Sequence, residues 1–196
     1  MPDRPRLAEL RDLDRVYEPA EDSRLLAGTA VERLDATDRV LDVGTGTGYV
    51  GTRIATETGA VVVGVDVDRA ACHRAREAGL SVVRGDLCRP FAANAFDAVV
   101  CNPPYLPARE DGWEDPMARA IAAGPDGRAV IDRLLRTVEH VLAPDGRLLL
   151  LLSTVTGPEA VRETARAAGL AVTRVAAESH SFERLLVFEV CPAPAK

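Results

Sequence analysis

The spacing of apolar and polar residues changes period repeatedly along the chain, and each change marks an element. Residues 21–34 carry Leu25, Leu26, Ala30 and Leu34 at helical spacing. Residues 39–43 run apolar around Asp42 into a glycine-rich turn, which predicts a strand. A helix is expected over 50–57 and a buried β-branched strand over 61–65, ending in Asp66. A second helix over 68–78 is stopped by Gly79. Short strands follow at 81–83, ahead of Gly85-Asp86, and at 96–100, ahead of Asn102-Pro103-Pro104-Tyr105. Residues 127–142 place Val130, Ile131, Leu134, Leu135, Val138, Val141 and Leu142 on one wide apolar helical face. Pro144-Asp145-Gly146 predicts a turn, 147–152 a buried strand, and 158–168 a helix with Pro158 in its first turn. Residues 171–176 and 184–190 predict two final strands paired antiparallel.

Strands alternating with helices imply a mainly parallel sheet covered on both faces. Seven strands closed by a hairpin fill the 196 residues with little left over. The expected organisation is an arm or short helix over 1–16 and a single domain over 17–196. Residues 106–126 hold three prolines and no clear period, and read as a long loop. Loops of that length in compact domains are usually functional or disordered.

Composition narrows the function classes. The longest apolar run, residues 148–152, is far shorter than the roughly 20 residues of a membrane span. The chain starts Met-Pro-Asp-Arg with no apolar leader segment, so the expected compartment is the cytoplasm, with no membrane partner. A net charge of −6 argues against tight binding to nucleic acid, which relies on basic surface. Cys72, Cys88, Cys101 and Cys191 show no C-x-x-C spacing, and only His73 stands beside one of them. No intrinsic metal site is therefore expected.

The first chemical signal is Asp42-Val43-Gly44-Thr45-Gly46-Thr47-Gly48, between a strand and a helix. Glycines there allow a tight turn and a close approach of ligand to backbone. No Gly-Lys-Ser/Thr follows, which excludes a P-loop. A carboxylate at Asp42 suits a ligand with an ammonium group and would repel a pyrophosphate. Asp66 ends the next strand, 18 residues after Gly48, where it can accept from both hydroxyls of a ribose. Asp86 follows the third strand and is placed to meet an adenine edge. Three strand-end carboxylates around one pocket also complement a sulfonium charge. Each Asp alone could simply cap the helix that follows it. Together with the glycines they favour S-adenosylmethionine over a nicotinamide cofactor. On these residues the chain resembles the class I S-adenosylmethionine-dependent methyltransferases. That resemblance implies a Rossmann-like sheet of seven strands in the order 3-2-1-4-5-7-6, with strand 7 antiparallel and helices on both faces.

The second signal is Asn102-Pro103-Pro104-Tyr105. The prolines remove two N–H donors and stiffen the backbone, so the Pro103 carbonyl is free to accept. The Asn102 side-chain oxygen is a second acceptor. Two fixed acceptors can hold an NH₂ group and steer its nitrogen toward a methyl group, while Tyr105 can stack on a planar amide or base. The plainer reading is a proline-stiffened turn. Families with this motif methylate adenine N6, cytosine N4 or glutamine N5, and the motif alone does not choose among them.

Three further stretches carry a closer resemblance. Val16-Tyr17-Glu18-Pro19-Ala20-Glu21-Asp22-Ser23, Asn102 through Pro107, and Gly124-Pro125-Asp126-Gly127-Arg128-Ala129-Val130-Ile131-Asp132 resemble the HemK family, in its short archaeal and eukaryotic branch. That resemblance implies N5-methylation of the glutamine in the Gly-Gly-Gln motif of class I translation release factors, with S-adenosylhomocysteine as product. It places Ser23, Asp42, Gly44, Gly46, Asp66, Asp86, Leu87 and Asn102 at the cofactor. It places Asn102, Pro103, Pro104 and Tyr105 at the substrate, with Asn102, Pro103 and Tyr105 as the catalytic group. It also implies a heterodimer with a small zinc-binding activator protein, which adds a strand along the exposed edge Ser81-Val82-Val83-Arg84. The alternatives left open are an adenine-N6 methyltransferase on DNA or RNA and a methyltransferase of another protein side chain such as lysine.

Overall fold

The computed structural model describes residues 21–104, 127–180 and 183–193. The expected arm over 1–16, residues 17–20, Tyr105 and the expected loop over 106–126 lie outside the described residues. The strands are β1 (Arg39–Val43), β2 (Val61–Asp66), β3 (Ser81–Arg84), β4 (Phe96–Cys101), β5 (Leu142–Ser153), β6 (Leu170–Ser179) and β7 (Arg184–Pro192). The helices are α1 (Glu21–Val31), α2 (Tyr49–Thr58), α3 (Arg69–Glu77), α4 (Ala129–Leu135), α5 (Val138–Val141) and α6 (Pro158–Ala167). All seven strands form one sheet in the order β3-β2-β1-β4-β5-β7-β6. β1 to β5 pair in parallel, and β7 runs antiparallel between β5 and β6. The strand order and the antiparallel final hairpin are those expected.

Side-chain alternation along the central strands feeds two cores, one on each face. Leu41, Val99, Leu148, Leu150 and Phe188 pack with Ile131, Leu134, Val138 and Val161 from α4 to α6. Val40, Ala98, Val100, Leu149 and Leu151 pack with Leu26, Ala27 and Ala30 of α1 and Ile54 of α2. Every one of these side chains is fully buried. A centre buried on both sides is why β5 reads as an unbroken run of leucines. Among the described residues no helix is long and apolar enough to cross a membrane.

Local signals set the helix ends. The Asp68 side chain accepts from Ala70 N at 2.9 Å and caps α3. Gly59, at φ 80, ends α2 by donating to the Ala55 carbonyl.

Three boundaries differ from the sequence expectation. The helix expected over 127–142 is broken into α4 and α5. Thr137 lies at the break, with Oγ1 on the carbonyls of Arg133 and Leu134 at 3.0 and 3.3 Å, so its side chain competes with the helical ladder. The turn at Pro144-Asp145-Gly146 lies inside β5 rather than before it. Leu142 already pairs with Phe96, and pairing resumes at Ala98 with Arg147, so residues 143–146 form an excursion within the strand. β6 continues to Ser179 past an irregularity between Arg174 and Ala176, because β7 stays paired with it up to Arg184.

Candidate active site

The strand order changes direction between β1 and β4, where β1 leads outward to β2 and β4 leads outward to β5. In open α/β sheets the crevice at the carboxyl ends of such strands is the usual ligand site. Here it is a cavity of about 260 Å³. The loops after β1 to β4 line it with Gly44, Asp66, Asp86, Leu87, Asn102, Pro103 and Pro104, and α4 adds Val130 and Arg133.

The glycine loop is bent into shape by the backbone of β2. Gly44 and Thr45 donate to the Val65 carbonyl at 2.8 and 3.1 Å, and Gly46 N donates to Asp66 Oδ2 at 3.0 Å. Gly44 sits at φ 70, and nothing lies within 4 Å of where its Cβ would be. That open space at a cavity-lining glycine lets a ligand approach the backbone closely.

The predicted carboxylates occupy different environments. Asp66 lines the cavity, and its two oxygens accept from Gly46 N and from Asp68 N. Each oxygen keeps a second lone-pair direction for a ligand hydroxyl. Asp86 also lines the cavity, and the guanidinium groups of Arg133 and Arg89 both contact its Oδ2. Asp42 is not among the cavity-lining residues. It is only 3% exposed, and its Oδ2 accepts from Thr45 Oγ1 at 2.7 Å and Gly51 N at 3.1 Å. Burial pushes its carboxyl up to about 6, against the two hydrogen bonds that favour the charged form. The direct role visible for Asp42 is thus to fasten the glycine loop to the first turn of α2. Gly46, too, stands back from the cavity and serves it through Asp66.

At the end of β4, Asn102 is half-buried, Pro103 buried and Pro104 exposed. Asn102 Nδ2 donates to Ser23 Oγ at 3.1 Å, bringing together residues 79 positions apart. Ser23 is therefore tied to the Asn102 amide rather than lining the cavity. Its own backbone N–H donates to Asp22 Oδ1 at 2.6 Å, in the first turn of α1. With Nδ2 committed to Ser23, Asn102 Oδ1 is the acceptor left for a ligand. Leu87, at φ 50, holds a left-handed conformation uncommon for a branched side chain, and it does so in the cavity wall. Burial raises the thiol of Cys101, beneath Asn102, well above its ordinary range, so that sulfur stays neutral.

The lining fits S-adenosylmethionine. It offers carboxylate acceptors for hydroxyl and amine donors, apolar wall at Val65, Leu87 and Val130, and net negative charge for a cationic ligand. No motif in the sequence marks Arg133. It lies three positions after Val130, so the two share one face of α4. The cavity is therefore served by the edge of the helical face that otherwise reads as core.

A methyltransferase family model, described as "Methyltransferase small domain", matches residues 20–182. A protein of Methanocaldococcus jannaschii that carries, by inference, the name protein N5-glutamine methyltransferase is 33% identical over 88% of this chain and 89% of its own length. A release factor glutamine methyltransferase of Gloeobacter violaceus is 32% identical over 92% of this chain and 71% of its own. Among solved structures, the E. cuniculi Mtq2–Trm112 complex, responsible for methylation of the eRF1 translation termination factor, aligns with a TM-score of 0.72 and 29% identity. That alignment covers 89% of this chain and 96% of the matched one.

Proposed function

The chain belongs to the small-domain methyltransferase family, and from that premise we propose that it methylates N5 of the glutamine in the Gly-Gly-Gln motif of a class I release factor, using S-adenosylmethionine. The observation that carries this reading is the held amide at Asn102, which leaves one oriented acceptor at the edge of the cavity. The names borne by the relatives favour glutamine over adenine and over lysine as the acceptor.

The residues divide the work along the cavity. Asp66 would accept from the ribose hydroxyls, while Asp86 and Leu87 would meet the adenine. Gly44 leaves room beside the backbone, and Asp42 keeps the glycine loop in shape. Asn102 Oδ1 and the Pro103 carbonyl would accept the two N–H groups of the glutamine amide, and Tyr105 would stack on its plane. S-adenosylmethionine supplies a methyl group on a positively charged sulfur. An amide nitrogen is a weak nucleophile because its lone pair is delocalised, so orientation must do most of the work. Well-oriented reacting pairs gain roughly 7–11 kcal/mol from proximity. Methyl transfer from the bound donor would leave the amide nitrogen with one surplus proton, which water can take.

The same reading gives the chain a small zinc-binding activator protein as partner, seated along β3. In support, β3 is an edge strand with Ser81, Val83 and Arg84 exposed. Val61, Val67 and Val83, at 63%, 45% and 37% exposure, place apolar surface on and beside that edge. A release-factor substrate would also place the enzyme where translation occurs, in the cytoplasm.

The test is transfer of labelled methyl from S-adenosylmethionine to a purified class I release factor, with and without the activator. A Gln→Ala change in its Gly-Gly-Gln motif is the control. Label on the unaltered factor alone supports the proposal. Equal label on both, or none with the activator present, refutes it.

A further inference from the structure

Arg133 has no part in the reading above, yet it closes the cavity from the α4 side while gripping Asp86 on the opposite wall. The Arg133 guanidinium contacts Asp86 Oδ2, and Arg89 reaches the same oxygen at 3.4 Å. Among the described residues no hydrogen bond is made to Asp86 Oδ1. One oxygen of this carboxylate is held, and the other carries no donor from the described residues. The two residues contribute differently: Arg89 is 79% exposed and does not line the cavity, whereas Arg133 does. Side-chain exposures of 49% for Arg133 and 31% for Asp86 put the pair at a solvated rim, where an ion pair adds little to folding stability. A rim pair that bridges two walls of a ligand cavity can still fix the direction of an acceptor.

We propose that Arg133 is a positioning residue that sets base selectivity. By pinning Asp86 through Oδ2, it aims Oδ1 at the 6-position of the bound purine, where an exocyclic amine donates and a 6-oxo group cannot. This rests on the placement of adenine beside Asp86 in the proposed function. An adenine amine facing the pinned oxygen makes a charge-assisted hydrogen bond. A hypoxanthine would set its carbonyl oxygen against a carboxylate that cannot turn away. Without Arg133 the carboxylate keeps only the long contact to the exposed Arg89 and turns more easily. It must then be ordered by the adenine ligand, and it can swing clear of the 6-oxo one.

Calorimetric titration of the full chain with S-adenosylhomocysteine and with S-inosylhomocysteine tests this. The wild type should prefer the adenine ligand by roughly 10- to 100-fold, the worth of one hydrogen bond to a charged group. Arg133→Ala should weaken the adenine ligand by about three- to tenfold, the effect of ordering one freed side chain. The 6-oxo ligand should be held as well as before or better, so the preference collapses. Arg133→Lys, which keeps a cation within reach of Oδ2, should restore most of the preference. Arg89→Ala should leave it within about twofold. Thermal melts of each variant show that the fold is intact, and Arg133→Gln, which keeps side-chain bulk without the cation and should lose the preference as Arg133→Ala does, serves if Arg133→Ala does not fold.

Equal weakening of both ligands by Arg133→Ala, or an unchanged preference, overturns the role of Arg133 and leaves the proposed function standing. A wild type that binds both ligands equally overturns the placement of adenine at Asp86, and this proposal with it.

Discussion

Asp42→Asn should make the protein more stable as the pH rises, because the buried carboxylate it replaces is stabilised only in its protonated form. Burial pushes the Asp42 carboxyl from 3.8 to about 6, with the nearby Asp66 charge acting in the same direction. A folded-state value above the unfolded one means that the folded protein holds a proton the unfolded chain has already lost. The resulting stability is complete below pH 3.8 and is lost as the pH rises through about 6. At about 1.4 kcal/mol per unit, a shift of about two units amounts to about 3 kcal/mol over the whole window. Between about pH 5 and about pH 7.5 the same linkage gives about 1.4 kcal/mol. The asparagine carbonyl can still accept from Thr45 Oγ1 and Gly51 N, so the loop keeps its fastening without the buried charge. Urea unfolding of both proteins at the two pH values measures the effect, and the difference between them cancels the titrating groups that do not interact with Asp42. The gap in favour of Asp42→Asn should widen by about 1.4 kcal/mol toward the higher pH. A gap that stays constant, or that narrows, refutes the assignment of Asp42 as a desolvated carboxylate.

Other outcomes follow from the same geometry. Asn102→Ala should reduce methyl transfer at least about 100-fold while leaving cofactor affinity within about threefold, because orientation of the acceptor is what it removes. Comparable losses in rate and affinity, read by single-turnover kinetics and calorimetry, would place Asn102 at the cofactor alone. Asp66→Ala should weaken the cofactor by about 10- to 100-fold, since it deletes a charged acceptor and also leaves the Gly46 and Asp68 N–H groups without their partner. Unchanged affinity in a calorimetric titration would put the ribose elsewhere. Gly64→Ala should cost about 1–3 kcal/mol in urea unfolding. Its Cβ would stand 2.9 Å from Leu80 Cδ2 and from both Thr45 Cγ2 and Oγ1, a clash that crowds β2 against the glycine loop. An alanine variant as stable as wild type would mean that this loop yields readily.

The sequence carried most of the scaffold because its signals are local and periodic. Runs of β-branched residues and leucine mark β1, β2, β4 and β5. Gly44, Gly46 and Gly48 announce a turn that other residues enter only with strain, since all three sit at positive φ. Where a side chain competes with the backbone, periodicity misleads. Thr137 interrupts a run of apolar residues whose spacing is helical throughout. The excursion at 143–146 is likewise invisible as part of a strand, because only its partner Phe96 reveals that pairing has begun.

The candidate site divides in the same way. Asp66, Asp86 and Asn102 could be nominated from the sequence because each ends or follows a strand, and strand ends in a parallel sheet converge on one crevice. Sequence position could not say which carboxylate faces that crevice. Asp42 and Asp66 are both acidic residues at or near a strand end, yet one lies in the core fastening a loop and the other lines the cavity. Nor could it pair Ser23 with Asn102 or Arg133 with Asp86, separated by 79 and 47 positions. Element type and motif chemistry are written in neighbouring residues, whose spacing and backbone preferences act over a few positions. Orientation, burial and partnership between distant side chains exist only once the sheet order and the packing of α1 and α4 bring them together. Those are the properties that only the tertiary structure decided.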